Sequence, residues 1–410
     1  MPTQAQIALV VPNLPEGGGV PAVAAFIKDV ILDSGRFNLK VISLSSSSSD
    51  PDSALFRRPG QFMSGPTCSQ KEWLGLPVTH VGAWAGELEF MRYQPRDALA
   101  EAVADCDLIQ VVCGGPAWAN ALIGLGKPVS IQCATRTRVE RRRRDADPKS
   151  PSDYWRKAMT RITDYYDDRA MKRTNAIQLE NPWMLDYASA LNTGRSVDIR
   201  YAPPGVDESV FVPLEARNPD QDPYILCVAR LDDPRKHIEL LLEAYALLPA
   251  DTRAKTRLKL AGSSGPPAHF WQRAALLGLA DRIEYIARPS QHELVRLYQQ
   301  AAVFALPSDE EGLGVVILEA MACGVPVVST RSGGPDGIIT DGVDGYLTPL
   351  NDAKSLSGRL KELLSNTELN QRMGREARET VHRRYSRAVT GAAFISVWDG
   401  LYQAPDGVRS

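Results

Sequence analysis

The chain has 410 residues, beyond the roughly 250 to 300 at which single hydrophobic cores stop growing, so two domains are expected, and its 44% hydrophobic content is enough to fill both. A formal net charge of −2 excludes a molecule organised as a whole around attraction to nucleic acid or anionic lipid, so any basic site must be local. The six cysteines, Cys68, Cys106, Cys113, Cys133, Cys227 and Cys323, form no CxxC or Cys/His cluster, which argues against a disulfide framework or a zinc site and fits a reducing cytoplasm.

The first residues, "MPTQAQIALVVPNLP", lack the charged start and cleavage site of a signal peptide, and no run of 18 apolar residues exists. IALVV predicts a buried strand over 6–11. The stretch "PEGGGVPAVAAFIKDVI" then predicts a glycine loop opening into a helix. That loop lacks GxGxxG, which counts against a dinucleotide site, and Gly17, Gly18 and Gly19 suit either close approach to a ligand or a plain tight turn. LKVISL is a second strand. Residues 45–79, beginning with a serine run, show little periodicity and predict a long loop. DLIQVV, KPVSIQ, AIQLE and IRYAPP predict further strands.

Between KPVSIQ and AIQLE lies "TRTRVERRRRDADPKSPSDYWRKAMTR", 135–161, with six arginines from Arg136 to Arg144. Such a tract suits an acidic or lipid-linked acceptor, with Trp155 at a membrane surface. A solvated helix face with Glu140 and Asp145 as counter-charges explains it as simply.

Prolines, acids and a glycine interrupt the rhythm in "YAPPGVDESVFVPLEARNPDQDP", which predicts a linker. The resulting division is 1–203, a linker over 204–222, 223–385, and a C-terminal helix in 386–410. That last stretch has apolar residues at helical spacing (Val389, Ala393, Phe394, Val397, Leu401) and should dock on one of the domains. YILCVAR, RLKLAG, IEYIA, VFALP, VPVVST and GYLTP repeat the strand rhythm in the second half. Two such series predict an α/β protein of two doubly wound, Rossmann-like domains facing a cleft, the C-terminal helix crossing back to the first.

Two stretches of the second half carry chemistry. In "ARLDDPRKHIELLLEAYALL", Arg230 and Lys236 fall at the C-terminal edge of a strand, where two cations can hold a diphosphate; surface pairs to Asp232 and Asp233 are the plainer alternative. In "PSDEEGLGVVILEAMACGVPVVSTRSGGP", a helix is predicted from near Leu313 through Ala322. The N–H groups of Gly312, Leu313 and Gly314 would then face the crevice, where a helix dipole favours a phosphate. Glu319 lies on the side of Val315 and could accept from two ribose hydroxyls, or meet a buried arginine.

The order GGV, "PPGVD" at 203–207, "ARLDDPRK" at 229–236, "LAGSSGP" at 260–266 and "PSDEEGLGVVILEAMACGVPVVSTRSGGPDGIITDGVDGYL" at 307–347 resembles the retaining, GT-B-fold glycosyltransferases of family 4, the glycosyl transferases group 1. The likeness is dense from about 201 to 385 and thin before it. It implies a hexosyltransferase using a nucleotide sugar, UDP-linked by family frequency, to build a polysaccharide, glycolipid or other glycoconjugate. Arg230 and Lys236 match the pair on the donor diphosphate, Glu319 the ribose glutamate, and Glu311 the residue holding the transferred sugar. Gly312, Leu313 and Gly314 match the phosphate loop, with Gly262 beside the donor, Gly18 and Gly19 facing it from the first domain, and Arg288 near the base. Arg230, Lys236 and Glu311 are the implied catalytic set. No metal or cofactor is implied, although DxD occurs at 50/52, 105/107, 145/147 and 220/222.

The chain departs from that pattern where many relatives carry a histidine after a strand like KPVSIQ; here the residues are Cys133, Ala134 and Thr135. Thr135, Arg136 and Arg138 are therefore acceptor-side candidates, together with His80, the one histidine of the N-terminal half. Expected partners are a nucleotide-sugar donor and a sugar, lipid-linked or acidic acceptor, without nucleic acid, and with peripheral contact at the inner membrane face. A GT-B nucleotide-sugar epimerase and a non-catalytic nucleotide-sugar sensor are the competing readings.

Overall fold

The computed structural model describes residues 4–12, 14, 19–215 and 222–403. The chain divides into two compact units, Met1–Pro204 with Thr390–Ser410, and Gly205–Val389.

The first unit is built on eight strands: β1 Ala5–Pro12, β2 Phe37–Leu44, β3 Cys68–Trp73, β4 Leu76–Val81, β5 Leu108–Cys113, β6 Val129–Cys133, β7 Ala176–Leu179 and β8 Asp198–Tyr201. Their order is β3-β4-β2-β1-β5-β6-β7-β8. Every neighbour is parallel except β3, which runs antiparallel to β4. Strands β5, β6 and β7 are buried along their whole length, as unbroken apolar-rich runs covered on both faces should be.

The second unit holds β9 Tyr224–Val228, β10 Arg257–Gly262, β11 Ile283–Ala287, β12 Val303–Leu306, β13 Val327–Thr330 and β14 Gly345–Thr348, all parallel, in the order β11-β10-β9-β12-β13-β14. Counted from the first strand of the unit this is 3-2-1-4-5-6, the Rossmann order. Both units are therefore doubly wound α/β sheets.

The long loop expected over 45–79 is corrected at its end. Its last residues form the β3–β4 hairpin, turned at Leu74 (φ 50°) and Gly75 (φ 76°). Positive φ at both central residues is what a type I′ turn requires. A leucine in the left-handed region hid the turn, and a polar edge strand (CSQKEW) hid β3.

The helix Arg387–Gln403 packs within the first unit. Phe394 and Trp398 are fully buried in the core containing Ile7, Leu9, Ile27 and Phe37. The Trp398 ring meets Phe37 edge-on at 5.7 Å and its indole N–H donates to Gln110 Oε1 at 2.8 Å. A Cβ at Gly391 would lie 3.1 Å from Val30 Cγ2, so glycine lets this helix approach the helix Gly19–Ser34. Val389, one of the expected docking residues, instead points to solvent at 47% exposure, and Trp398 takes the central place.

Trp398→Ala should cost about 3–5 kcal/mol through the cavity it leaves, whereas Val389→Ala should stay within about 0.5 kcal/mol. Chemical denaturation followed by near-UV circular dichroism reads both.

Candidate functional site

In the second sheet the chain winds outward from β9 through β10 to β11 on one side, and from β12 to β14 on the other. The crevice at the C-terminal ends of β9 and β12 is the switch point, where open α/β sheets bind ligands. The loops leaving those two strands carry Arg230, Lys236, Glu311, Gly312, Leu313 and Gly314.

After β9, Asp233 accepts from the Arg235 N–H at 3.0 Å and opens the short 3-10 turn Pro234–Lys236. His237 then takes a left-handed conformation (φ 44°) before the helix Ile238–Ala246 begins, one residue pair later than Lys236 itself. Three consecutive side chains of this loop meet three consecutive acids after β12. Arg235 Nη1 lies 3.1 Å from Glu310 Oε2, Lys236 Nζ 2.7 Å from Glu311 Oε1, and His237 Nδ1 2.7 Å from Asp309 Oδ1. The Asp309 N–H also donates to the Arg235 carbonyl at 2.8 Å.

The central pair is the least hydrated, with side chains 15% (Lys236) and 9% (Glu311) exposed. Ser308 Oγ donates to the same Glu311 oxygen at 2.6 Å. Breaking such a pair leaves an uncompensated charge in a poorly hydrated place. Arg230 has a different setting: its side chain is 54% exposed and reaches Asp233 Oδ2 at 3.1 Å. Burial would raise the Asp233 carboxyl, but the hydrogen bonds and charge of Arg235, with Arg230 behind, hold it at about 2. The plain alternative for Arg230, an exposed pair with Asp233, is thus observed, while the Lys236 side chain pairs with Glu311 instead.

Glu311 is fixed at its backbone as well. Its N–H donates to Ser332 at 2.9 Å and its carbonyl accepts from Gly334 at 3.0 Å. A Cβ on Gly334 would sit 2.3 Å from the Leu313 carbonyl oxygen, so the SGGP stretch can lie against this loop only as glycine. The following helix is Val315–Ala322, capped by Gly314 at φ 88°. Gly312 and Leu313 precede it, which corrects the expected start near Leu313: the loop curls through positive φ before the first helical turn. Glu319 meets Tyr298, whose hydroxyl donates to Oε2 at 2.7 Å, in place of the arginine that was the simpler expectation. Loss of hydration raises its carboxyl, and the tyrosine partly offsets that.

Gly262 closes β10 so near Ala229 that a Cβ would fall 1.9 Å from its carbonyl oxygen. Arg288 follows β11 at φ 47°, its N–H donating to the Gly262 carbonyl at 2.8 Å and its Nε to Ser263 at 3.2 Å. Two non-glycine residues in left-handed backbone, His237 and Arg288, therefore flank this edge, and strained conformations concentrate at functional sites.

In the first unit, Gly19 begins the helix Gly19–Ser34, while Gly17 and Gly18 lie outside the described residues. Thr135 is buried, and its hydroxyl finds no partner among the described residues. Arg136 is pinned by Asp164 (2.7 Å) and Asp168 (2.8 Å) beneath the Tyr187 ring, whereas Arg138 is exposed. His80 is buried, bonded to Asp50 at 2.7 Å and Ser43 at 3.1 Å. It stands on β4, four strands from β6, or about 19 Å at ordinary strand spacing, so the structure does not bring it to Thr135.

Asp50, Asp52 and His80 offer three ligand atoms within 4.8 Å of one another, a set that could hold a divalent ion. Each is already used by the protein. Asp50 also accepts from the Asp52 N–H, and Asp52 from Thr67 and Ser69, so the group serves as a clasp for the 45–67 loop. Two buried acids escaped the sequence reading. Asp167 accepts from the N–H groups of Ala117 and Thr137 (2.9 and 2.8 Å), and Glu180 accepts from Gln132 at 2.8 Å; burial pushes both carboxyls up to about 7. Neither sits in a recognisable motif, and only the fold buries them.

Residues 214–380, the greater part of the second unit, match the family described as glycosyl transferases group 1. A D-inositol 3-phosphate glycosyltransferase of Saccharomonospora viridis is 32% identical over 208 residues, 47% of this chain and 48% of that protein. A GDP-mannose-dependent alpha-(1-6)-phosphatidylinositol monomannoside mannosyltransferase of Mycolicibacterium smegmatis is 33% identical over 236 residues, 53% and 60% of the two chains. The alignments thus span about half the length of these relatives. Sucrose-phosphate synthase from Thermosynechococcus elongatus shares the two-unit GT-B fold over 98% of this chain and 100% of its own, at a TM-score of 0.70 and 19% identity.

Glu180 gives a pH signature. Its folded pKa of about 7 exceeds the ordinary 4.5, so the folded chain holds a proton that the unfolded chain releases. Its contribution is complete below about 4.5 and is lost as pH rises to 7. Glu180→Gln should therefore gain on the wild type between these pH values, by on the order of 3 kcal/mol. Urea midpoints measured at pH 5 and pH 8, to either side of the raised value, would show the gap widening.

Proposed function

We propose that the chain transfers a hexosyl group from a nucleotide sugar to an acceptor hydroxyl with retention of configuration. The observation that carries this reading is the Lys236–Glu311 pair, which joins the loops of β9 and β12 at the switch point inside the segment that matches glycosyl transferases group 1. In this reading the donor diphosphate lies along Arg230 and Lys236, and the backbone at Gly312, Leu313 and Gly314 approaches its phosphates. Glu311 takes the hydroxyls of the transferred sugar, Glu319 takes the ribose, and Gly262 and Arg288 border the base.

The chemistry follows from where charge develops. The bond from the sugar's anomeric carbon to phosphate breaks and its electron pair leaves on the nucleoside diphosphate. The acceptor oxygen bonds to the anomeric carbon on the same face, and its proton passes to a diphosphate oxygen. Two fixed cations on the leaving group stabilise that charge without a carboxylate pair at glycosidase spacing, so we propose turnover without a divalent ion. The resemblance favours a UDP-sugar, and the mannosyltransferase relative makes a GDP-sugar the second donor to try. The named acceptors of the two relatives, inositol 3-phosphate and a phosphatidylinositol monomannoside, both carry phosphate, which favours an acidic acceptor.

Arg230→Ala, Lys236→Ala and Glu311→Gln should each lower turnover at least about tenfold, equivalent to about 1.4 kcal/mol or more of transition-state stabilisation. The assay is nucleotide release from UDP-, GDP- and ADP-sugars in the presence of EDTA, with thermal melts to verify folding. Full rates in all three variants would refute this site. Binding of one nucleotide sugar without release, whatever acceptor is added, would favour the sensor reading. Interconversion of the donor sugar without transfer would favour the epimerase.

A further inference from the structure

The outward side of the helix Pro151–Met171 takes no part in the donor chemistry. Trp155, Ala158, Ile162 and Tyr165 are exposed and follow the i, i+3, i+7, i+10 spacing of one helical stripe, with Tyr154 and Arg161 beside it. Trp155 is 54% and Tyr165 66% exposed. No exposed position of this helix is acidic.

Its four carboxylates are all engaged on the other side. Asp153 closes the capping box with Ser150 and pairs with Arg156 at 2.6 Å. Asp164 and Asp168 hold Arg136, and Asp167 holds two backbone N–H groups. The arginine tract is tied to the same helix: Arg156 reaches Asp145 at 3.1 Å and the Arg144 carbonyl at 2.8 Å, while Arg142 and Arg144 are exposed. From 136 to 173 the sequence has thirteen Lys/Arg against seven Asp/Glu, in a chain whose total is −2, so the positive charge is local.

We propose that this face docks on an anionic lipid bilayer. The helix would lie in the interfacial plane, with Trp155, Ile162 and Tyr165 at headgroup depth and Arg142, Arg144 and Arg161 on lipid phosphates. No helix among the described residues is long and apolar enough to cross a membrane, so this contact is with the surface. Charge complementarity selects the occupant. A stripe with no exposed acid, with Arg161 beside it and an adjoining tract that exposes Arg142 and Arg144, repels a basic partner, and the aliphatic members Ala158 and Ile162 offer no stacking face to a nucleic-acid base. The proposal rests on the first unit alone and is independent of the donor reading.

The full chain should sediment with phosphatidylcholine vesicles that contain phosphatidylglycerol, should not sediment with phosphatidylcholine alone, and should release as salt rises. Replacing Arg142, Arg144 and Arg161 together by Gln should weaken binding about a hundredfold at low salt, at about fivefold per cation. Trp155→Ser with Ile162→Ser should weaken it about tenfold or more at every salt concentration. Circular dichroism and thermal melts confirm that the variants fold. Absence of binding to the anionic vesicles would overturn the proposal. So would binding that neither variant weakens, or tight binding of a single-stranded RNA by the tract while vesicles are ignored.

Discussion

The contact between Lys236 and Glu311 is the constraint on which the second unit's ligand edge depends. It joins the loops of two strands, β9 and β12, that are adjacent in the sheet, through residues 75 apart in sequence. Asp309, Glu310 and Glu311 would repel one another if they stood alone on one loop. They are tolerable because Arg235, Lys236 and His237 arrive opposite them, one base or cation to each acid. The cost of separating either set makes the edge a fixed electrostatic surface, so a ligand bound there would meet charges that need little rearrangement.

Around that pair the backbone itself is committed. Gly262 against Ala229 and Gly334 against Leu313 are approaches that any side chain would block, while His237 and Arg288 occupy left-handed conformations unusual for their type. A packed sheet can hold such strain because its central strands β9, β12 and β13 are buried throughout. Stability is thereby exchanged for geometry at the one edge where geometry matters.

The first unit distributes its charges by another rule. Arg136 reaches Asp164 and Arg156 reaches Asp145, and these two pairs fasten the helix Pro151–Met171 to the arginine tract, while Arg141 pairs with Glu89. Arg142 and Arg144 remain exposed. A single run of arginines thus serves structure and surface at once. Arg136 and Arg141 are countered by Asp164 and Glu89, and the exposed Arg142 and Arg144 are the part on which the bilayer proposal draws.

Much of this protein was legible as sequence. Short continuous apolar runs named nearly every strand of both sheets, because burial on two faces demands unbroken apolar stretches, and the alternation with helices gave the doubly wound class. The motifs PRK, DEEG and SGGP marked the loops of the candidate site, since glycine, proline and cation requirements there are local. The hairpin at Leu74 was not legible, because a leucine seldom occupies the left-handed region. Nor were the partner of Glu319, the seat of Trp398, or the burial of Asp167 and Glu180. Those depend on which residues the winding of the sheet brings together across tens or hundreds of positions: Tyr298 to Glu319, Gln110 to Trp398, Lys236 to Glu311. The sequence by itself determined the elements and their chemistry. Only the tertiary structure decided which charges are paired and which face water, because pairing and hydration are properties of neighbours in space rather than in the chain.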